Sequence, residues 1–165
     1  MRILGIDPAL SVTGYGVIDV EGKNRLSLLE AGIVKTQPNQ LVQDRLNKIY
    51  QSIKKLISDT KPDVVVLEKL YAHYRHPVTA FLLGQARGVI CLICAQKNLP
   101  LFEYAATRVK KAIVGKGLAP KYQVQRMVVN TLGLDSIPKY TDVTDALALA
   151  IAHSYISKAA TYGMK

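Results

Sequence analysis

Two short apolar segments, far apart in the chain, each end in a single acidic residue. The first, residues 3–6, leads into Asp7 and is stopped by Pro8, which has no N–H to continue a strand. The second, residues 64–67, leads into Glu68 and contains only branched side chains, the pattern of a strand buried on both faces. Because open α/β sheets bind ligands at the carboxyl ends of their strands, we expect both acids at one functional edge.

The remaining patterns predict an α/β fold with a mixed five-stranded sheet flanked by helices. Segments 14–20 and 25–34 indicate two further strands joined by a tight turn, so that the first three strands are antiparallel and the later ones parallel. A helical stripe over 40–60, capped by Asn39, precedes the strand that ends at Glu68. The other expected elements are a long apolar helix over 78–98, a short strand over 99–104, two helices separated at Gly115 and Gly117, and an amphipathic helix over 140–155. We expect one domain, residues 1–157, and a flexible tail, residues 158–165.

Positive charge is concentrated in one part of the chain. The sequence holds 22 basic and 12 acidic residues, and segment 69–134 contains ten of the basic residues but only one acid, Glu103. A solvated helix face usually mixes both signs, so this asymmetry favours a polyanionic partner. No apolar run is long enough to span a membrane and no secretion signal is visible, so we expect a cytoplasmic location and no membrane partner.

Cys91 and Cys94 form a C-x-x-C pair within the long apolar helix. Redox pairs of this kind normally sit at a helix N-terminus. A zinc site would need two more ligands, from His73, His76 or His153. We therefore expect buried, reduced thiols that act as small hydrophobic side chains.

Two further acids, Asp142 and Asp145, lie three residues apart at the start of the last predicted helix and hence on one face. One such Asp is an ordinary helix cap, but two above an alanine-rich stripe are expected to meet Asp7 and Glu68. Four clustered carboxylates repel one another, and two divalent cations would balance their charge. Oxygen-only ligands suit Mg²⁺ or Mn²⁺, and such a pair of ions supports phosphodiester hydrolysis.

Several short motifs lie along this order of elements. They are Gly5-Ile-Asp-Pro8, Thr13-Gly-Tyr-Gly16, Leu83-Gly-Gln-Ala-Arg-Gly-Val89, Phe102-Glu-Tyr-Ala-Ala106, Val109-Lys110, the glycine-lysine segment 115–124 and Asp142-x-x-Asp145-Ala-Leu-Ala148. The order of the elements resembles the ribonuclease H-like fold, and the motifs resemble those of the bacterial RuvC-type Holliday junction resolvases. The similarity extends from residue 2 to about residue 156, in order and at family spacing.

This resemblance implies a homodimeric endonuclease that resolves four-way junction DNA with two Mg²⁺ (or Mn²⁺) ions per active site. Its catalytic and metal-binding residues would be Asp7, Glu68, Asp142 and Asp145. DNA would be bound by Lys110, Lys121 and the base-stacking Tyr71. The basic segment itself adds Arg75, Arg108, Lys111 and Lys116 as further DNA-binding candidates. The long helix would form the dimer contact through Phe81, Gly84 and Gly88. A branch-migration complex is a further implied partner. The chain departs from the family at Ala9, where Gly is usual.

Three alternatives stay open at this point. Another nuclease of the same fold, acting on RNA or an RNA–DNA hybrid, would need the same acids. An ATP-dependent actin-like or sugar-kinase-like protein would use Thr13-Gly14 as a phosphate loop, but such proteins close two domains on the nucleotide. A non-catalytic junction-binding module would need the basic segment alone. The sequence does not specify the preferred cleavage site, the physiological metal or the acid that binds each ion.

Overall fold

The computed structural model describes residues 1–22, 25–70 and 77–162, which form five strands and five helices. The strands are β1 (Arg2–Asp7), β2 (Val12–Glu21), β3 (Arg25–Lys35), β4 (Val64–Glu68) and β5 (Leu101–Tyr104). The helices are α1 (Val42–Thr60), α2 (Pro77–Gln96), α3 (Ala106–Val114), α4 (Lys121–Leu132) and α5 (Thr141–Tyr162).

The strands form a single mixed sheet in the order β3-β2-β1-β4-β5. The first three strands are antiparallel, whereas β4 runs parallel to β1 and β5 runs parallel to β4. This arrangement confirms the predicted α/β sheet of three antiparallel strands followed by parallel ones. The predicted separation at Gly115 is also present, since Gly115 ends α3 in the left-handed conformation, and Lys61 ends α1 in the same conformation, where the predicted stripe over 40–60 stops.

Alternation along the strands divides the core into two layers. Ile3 on β1 and Val66 on β4 pack with α3, α4 and α5 on one face of the sheet. Leu4, Ile6 and Leu67 pack with α1 and α2 on the other face. Because successive side chains of a strand point to opposite faces of the sheet, these positions determine the face toward which each later side chain of β1 and β4 points.

Two element boundaries differ from the predicted ones. The helix α1 begins at Val42 and Leu41 occupies the cap without a side-chain hydrogen bond, so the prediction of Asn39 as the cap is wrong. The helix α5 continues to Tyr162 and thus extends into the segment predicted as a tail. The physical reason is that Ile156 still packs against the core and that no helix breaker follows until Gly163.

The cysteines are free thiols, with Cys94 buried and Cys91 half-buried. Both lie in the layer formed by α1 and α2, whereas His153 lies in the other layer and shares a hydrogen bond with Tyr104 at 2.9 Å. His73 and His76 fall outside the described residues. None of the helices over the described residues combines the length and apolarity needed to cross a bilayer.

Candidate active site and nucleic-acid interface

Adjacent parallel strands deliver Asp7 and Glu68 to the same edge of the sheet. The register pairs Ile6 with Leu67, so the two acids that follow leave the sheet side by side. Because Ile6 and Leu67 face α1 and α2, alternation directs the next side chains toward α5. The structure therefore brings together the first two predicted acids as expected.

The first turns of α5 carry Asp142 and Asp145 to this edge, and glycines in β1 and β2 set how closely they approach. A Cβ built on Gly5 would lie 2.0 Å from the Ala146 carbonyl oxygen, and one built on Gly14 would lie 2.1 Å from that of Asp142. Gly16, paired with Gly5 across the two strands, instead faces the Leu147 side chain, whose Cδ2 would lie 2.4 Å from a built Cβ. The helix thus rests on a glycine floor, defined here as Gly5, Gly14 and Gly16, with backbone against backbone at Gly5 and Gly14.

The four acids interact electrostatically. Burial, followed by the charges of Asp145, Glu68 and Asp142, raises the pKa of Asp7 to about 7, although Lys121 opposes the shift. The pKa of Glu68 is also raised, first by partial burial and then by the charge of Asp145, and the nearby Lys110 and Lys121 reduce the size of this shift. These shifts identify one shared field of negative charge, which is the arrangement expected of a functional site.

Two predicted DNA-binding lysines lie at the acids themselves. The Lys121 Nζ donates to Asp145 Oδ2 at 2.6 Å. Burial alone would lower the pKa of Lys121, but this hydrogen bond and the surrounding carboxylates raise it. Lys110 and Lys121 line a cavity of about 170 Å³ together with Glu68 and Asp145. A phosphate in this cavity would meet two ammonium groups and the acid cluster at once.

The donor set fits a hard divalent cation. Within the described ranges, no group of three or more His, Cys, Asp or Glu side chains is arranged so that it holds an ion as it stands. In this structure the ammonium group of Lys121 forms an ion pair with Asp145 and so balances its charge, as a bound metal ion would. The site offers only carboxylate oxygens in a strongly negative field, and these are the ligands that Mg²⁺ and Mn²⁺ prefer.

The loop after Asp7 accommodates the departure at Ala9. Thr13 Oγ1 donates to the Ala9 carbonyl at 2.7 Å and accepts from the Ala9 N–H at 3.3 Å. Ala9 is not among the described residues with positive φ, so the loop does not require glycine there. Leu10 is buried in the core, and the buried Arg45 donates to Ser11 from α1. The substitution therefore leaves the placement of Asp7 intact.

The remaining predicted residues are distributed around this edge. Arg108 is exposed, with its guanidinium 5.2 Å from the centre of the Tyr104 ring, and Lys111 and Lys116 are exposed at the end of α3 and beyond it. Phe81, Gly84 and Gly88 lie on the exposed face of α2, and no atom lies within 4 Å of a Cβ built on either glycine. Tyr71 and Arg75 fall outside the described residues.

Sequence reasoning missed two features of the site. The three glycines of the floor appeared in the sequence only as members of motifs. Their packing role could not be predicted, because it depends on how α5 docks on the sheet. The Arg87 guanidinium, which donates to the Glu68 carbonyl at 2.7 Å, gave no local signal because its partners are distant in sequence.

A sheet of this order, with acids gathered at its parallel edge, defines the class of ribonuclease H-like nucleases. A family model described as crossover junction endodeoxyribonuclease RuvC matches residues 3–153. The proteins of that name from Rhodopirellula baltica and Heliobacterium modesticaldum are 44% and 47% identical to the chain. The first match covers 94% of this chain and 86% of the relative, and the second covers 93% and 95%.

A solved structure described as T. thermophilus RuvC in complex with Holliday junction substrate superimposes with a TM-score of 0.92 at 31% identity, covering 98% of this chain and 97% of that one. The chain belongs to the RuvC family of crossover junction endodeoxyribonucleases. Membership implies the use of a divalent metal ion.

Proposed function

We propose that the chain resolves four-way DNA junctions by paired, symmetric nicks, using Mg²⁺ or Mn²⁺, with two ions per active site. The observation that supports this most is the meeting of four acids with Lys110 and Lys121 at one sheet edge. The similarity to a RuvC described with a Holliday junction substrate favours this substrate over RNA or a hybrid.

In the proposed reaction, Asp7, Glu68, Asp142 and Asp145 would hold the ions, which would supply Lewis-acid chemistry for hydrolysis of the phosphodiester. Their positive charge would offset the repulsion that raises the pKa of Asp7, so all four acids could be ionised together. Lys121 then exchanges Asp145 for a phosphate oxygen, and Lys110 contacts the same strand. The exposed Arg108, Lys111 and Lys116 would bind the arms. Tyr71, from the resemblance, and Arg75, from the basic segment, stay predictions.

A homodimer is part of the proposal, because paired nicks in strands of like polarity need two active sites related by a two-fold axis. One face of α2 is buried through Ala86, Ile90 and Ile93. The opposite face leaves Val78, Phe81 and Leu92 exposed at 71%, 68% and 53%, beside Gly84 and Gly88. A contiguous apolar stripe of this kind is typical of a protein interface. We call these five residues the α2 stripe.

One location and one partner belong to the proposal without support from the geometry. Four-way junctions form in cellular DNA, so a cytoplasmic location belongs to the proposal. Association with a branch-migration complex is supported by the resemblance alone.

The proposal is tested by offering the chain three substrates with Mg²⁺: a four-way DNA junction, a linear duplex of the same arms and an RNA–DNA hybrid. We expect selective cleavage of the junction, and none in EDTA. Preferred cleavage of the hybrid would instead support a different nuclease of this fold, and metal-free binding without cleavage would support a binding module.

A further inference from the structure

A guanidinium lies beneath the acidic edge of the sheet and contacts the strand that carries Glu68. Arg87 belongs to α2, and its side chain is only 13% exposed. Its Nη1 donates to the Glu68 carbonyl oxygen at 2.7 Å, and its Nη2 pairs with the Glu103 carboxylate on β5. One side chain therefore connects α2 to the ends of two parallel strands.

The sheet itself leaves the Glu68 carbonyl without a donor on the β1 side. The Lys69 N–H donates to the Tyr104 carbonyl of β5 at 2.9 Å, so alternation turns the N–H and C=O of Glu68 toward β1. Because the register pairs Ile6 with Leu67, the backbone group of β1 that would donate to the Glu68 carbonyl is the N–H of residue 8. That residue is Pro8, which has none. Arg87 supplies the hydrogen bond that the ladder lacks.

This contact bears on the acid cluster because the carbonyl and the carboxylate belong to the same residue. Glu68 is the last residue of β4, and although β5 pairs with it on one side, its carbonyl has no ladder donor on the β1 side. The Glu68 side chain extends toward α5, whereas Arg87 reaches the backbone from the layer of α2. Fixing the carbonyl from below restricts where the carboxylate can lie above the sheet.

Building on the proposed function, we propose that Arg87 is a positioning residue for the acid cluster. It holds the end of β4 so that the Glu68 carboxylate stays beside Asp7 and Asp145, and Glu103 holds Arg87 in turn. The contact requires arginine, since its planar fork presents two nitrogens in fixed directions to two acceptors. A lysine would keep the charge but would reach the two acceptors with a single ammonium group.

The chain contains a matched control at the opposite end of the same sheet. Arg2 also pairs with a carboxylate, that of Asp19 at 2.8 Å, and also donates to a backbone carbonyl, that of Thr60. Because Arg2 begins β1 and Asp7 ends it, Arg2 lies far from the acids along the strand. Loss of Arg2 should therefore cost stability without disturbing the site.

The test compares the full-length wild type with Arg87→Gln, Arg87→Lys and Arg2→Gln. Binding of Mn²⁺ is measured by electron paramagnetic resonance of the free ion, and junction cleavage in Mg²⁺ gives kcat and KM. For Arg87→Gln we expect the Mn²⁺ dissociation constant to rise and kcat to fall, each by about 10- to 100-fold. The KM for the junction should stay within about threefold, because the DNA-binding lysines are untouched. Arg2→Gln should keep the wild-type Mn²⁺ affinity and kcat at a lower Tm.

Folded Arg87→Gln with wild-type Mn²⁺ affinity and kcat would overturn the proposal, as would an equal loss in Arg2→Gln. If Arg87→Gln does not fold, Arg87→Lys carries the same comparison, and wild-type behaviour in it would count against the need for the fork. Failure of the proposed function is distinguishable. A wild type that binds Mn²⁺ but leaves junctions intact would refute junction resolution, while the Mn²⁺ titration would still test Arg87.

Discussion

Burial and the charges of three neighbouring carboxylates oppose the ionisation of Asp7. Its pKa in the folded chain, about 7, lies above its ordinary value of 3.8. The folded state therefore binds the proton more tightly than the unfolded state does, and stability falls as pH rises between these two values. Below the ordinary pKa this penalty is absent, and above the folded-state pKa it is complete.

Asp7→Asn should therefore stabilise the metal-free chain while abolishing cleavage. We expect the free energy of unfolding to rise by about 1 to 4 kcal/mol at pH 8 and to change little at pH 4. Urea denaturation in EDTA at both pH values measures this difference. Saturating Mg²⁺ should raise the Tm of the wild type more than that of the variant, because it binds the folded wild type more tightly. A variant that is destabilised at pH 8, or that still cleaves, would contradict the assignment.

Lys110 and Lys121 are expected to contact phosphate. Replacing either by Ala should weaken junction binding for all sequences and lower the magnitude of the slope of log affinity against log salt by roughly 0.9. Lys48→Ala is the control, since Lys48 is an exposed lysine on α1, in the opposite layer. Fluorescence anisotropy in EDTA at several salt concentrations gives the slopes. Slopes in both variants that match that of Lys48→Ala would show that these lysines do not touch the backbone.

At the scale of elements, the position of α5 depends on the glycine floor. Gly5→Ala would place a methyl group 2.0 Å from the Ala146 carbonyl oxygen, and backbone cannot move aside as a flexible side chain can. We expect the free energy of unfolding to fall by about 1 to 3 kcal/mol or more, because overpacking displaces the helix. Cleavage should fall further than stability alone explains, since Asp142 and Asp145 move with α5.

Gly84→Ala is the matched control for this prediction. It adds the same methyl group where no atom lies within 4 Å in the single chain. Because Gly84 belongs to the α2 stripe, both glycine variants are compared in the Phe81→Arg background, which we expect to be monomeric. There, urea unfolding of Gly84→Ala should show no loss of stability, or a gain of up to about 1 kcal/mol from the better helix former. Equal destabilisation by Gly5→Ala and Gly84→Ala would mean that glycine content, and not the approach of α5, sets the cost.

The elements themselves could be predicted because their signals are local. Apolar runs that stop at Asp7 and Glu68 define buried strands, and Pro8 lies next to the break. All four acids could be selected for the same reason, since each lies at the end of a strand or the start of a helix.

Features that depend on docking could not be predicted. Whether Asn39 caps α1 depends on the path of the preceding loop, and the extension of α5 depends on packing by Ile156. Arg87 on α2 contacts Glu68 on β4 and Glu103 on β5, and the local sequence of one element gives no information on where the other two lie. Such contacts follow from the tertiary arrangement and not from sequence periodicity.

For the whole molecule, the α2 stripe should hold two chains together. Phe81→Arg would place a charge in the proposed apolar contact, so we expect folded monomers by sedimentation at micromolar concentration, where we expect the wild type to be a dimer. Leu41→Arg is the control, because Leu41 is 63% exposed but lies next to α1. Dissociation by both variants, or by neither, would place the interface elsewhere.

The most direct test of the central claim is to map the nicks that the wild-type chain makes in a mobile four-way junction with Mg²⁺, with Asp7→Asn as the control. A closed circular cruciform substrate separates single nicks from paired nicks made within one complex. We predict paired nicks at symmetric positions in strands of like polarity, no nicks with Asp7→Asn, and single nicks at most with Phe81→Arg. Asymmetric or unpaired nicking by the wild type, or paired nicking by Asp7→Asn, would contradict it.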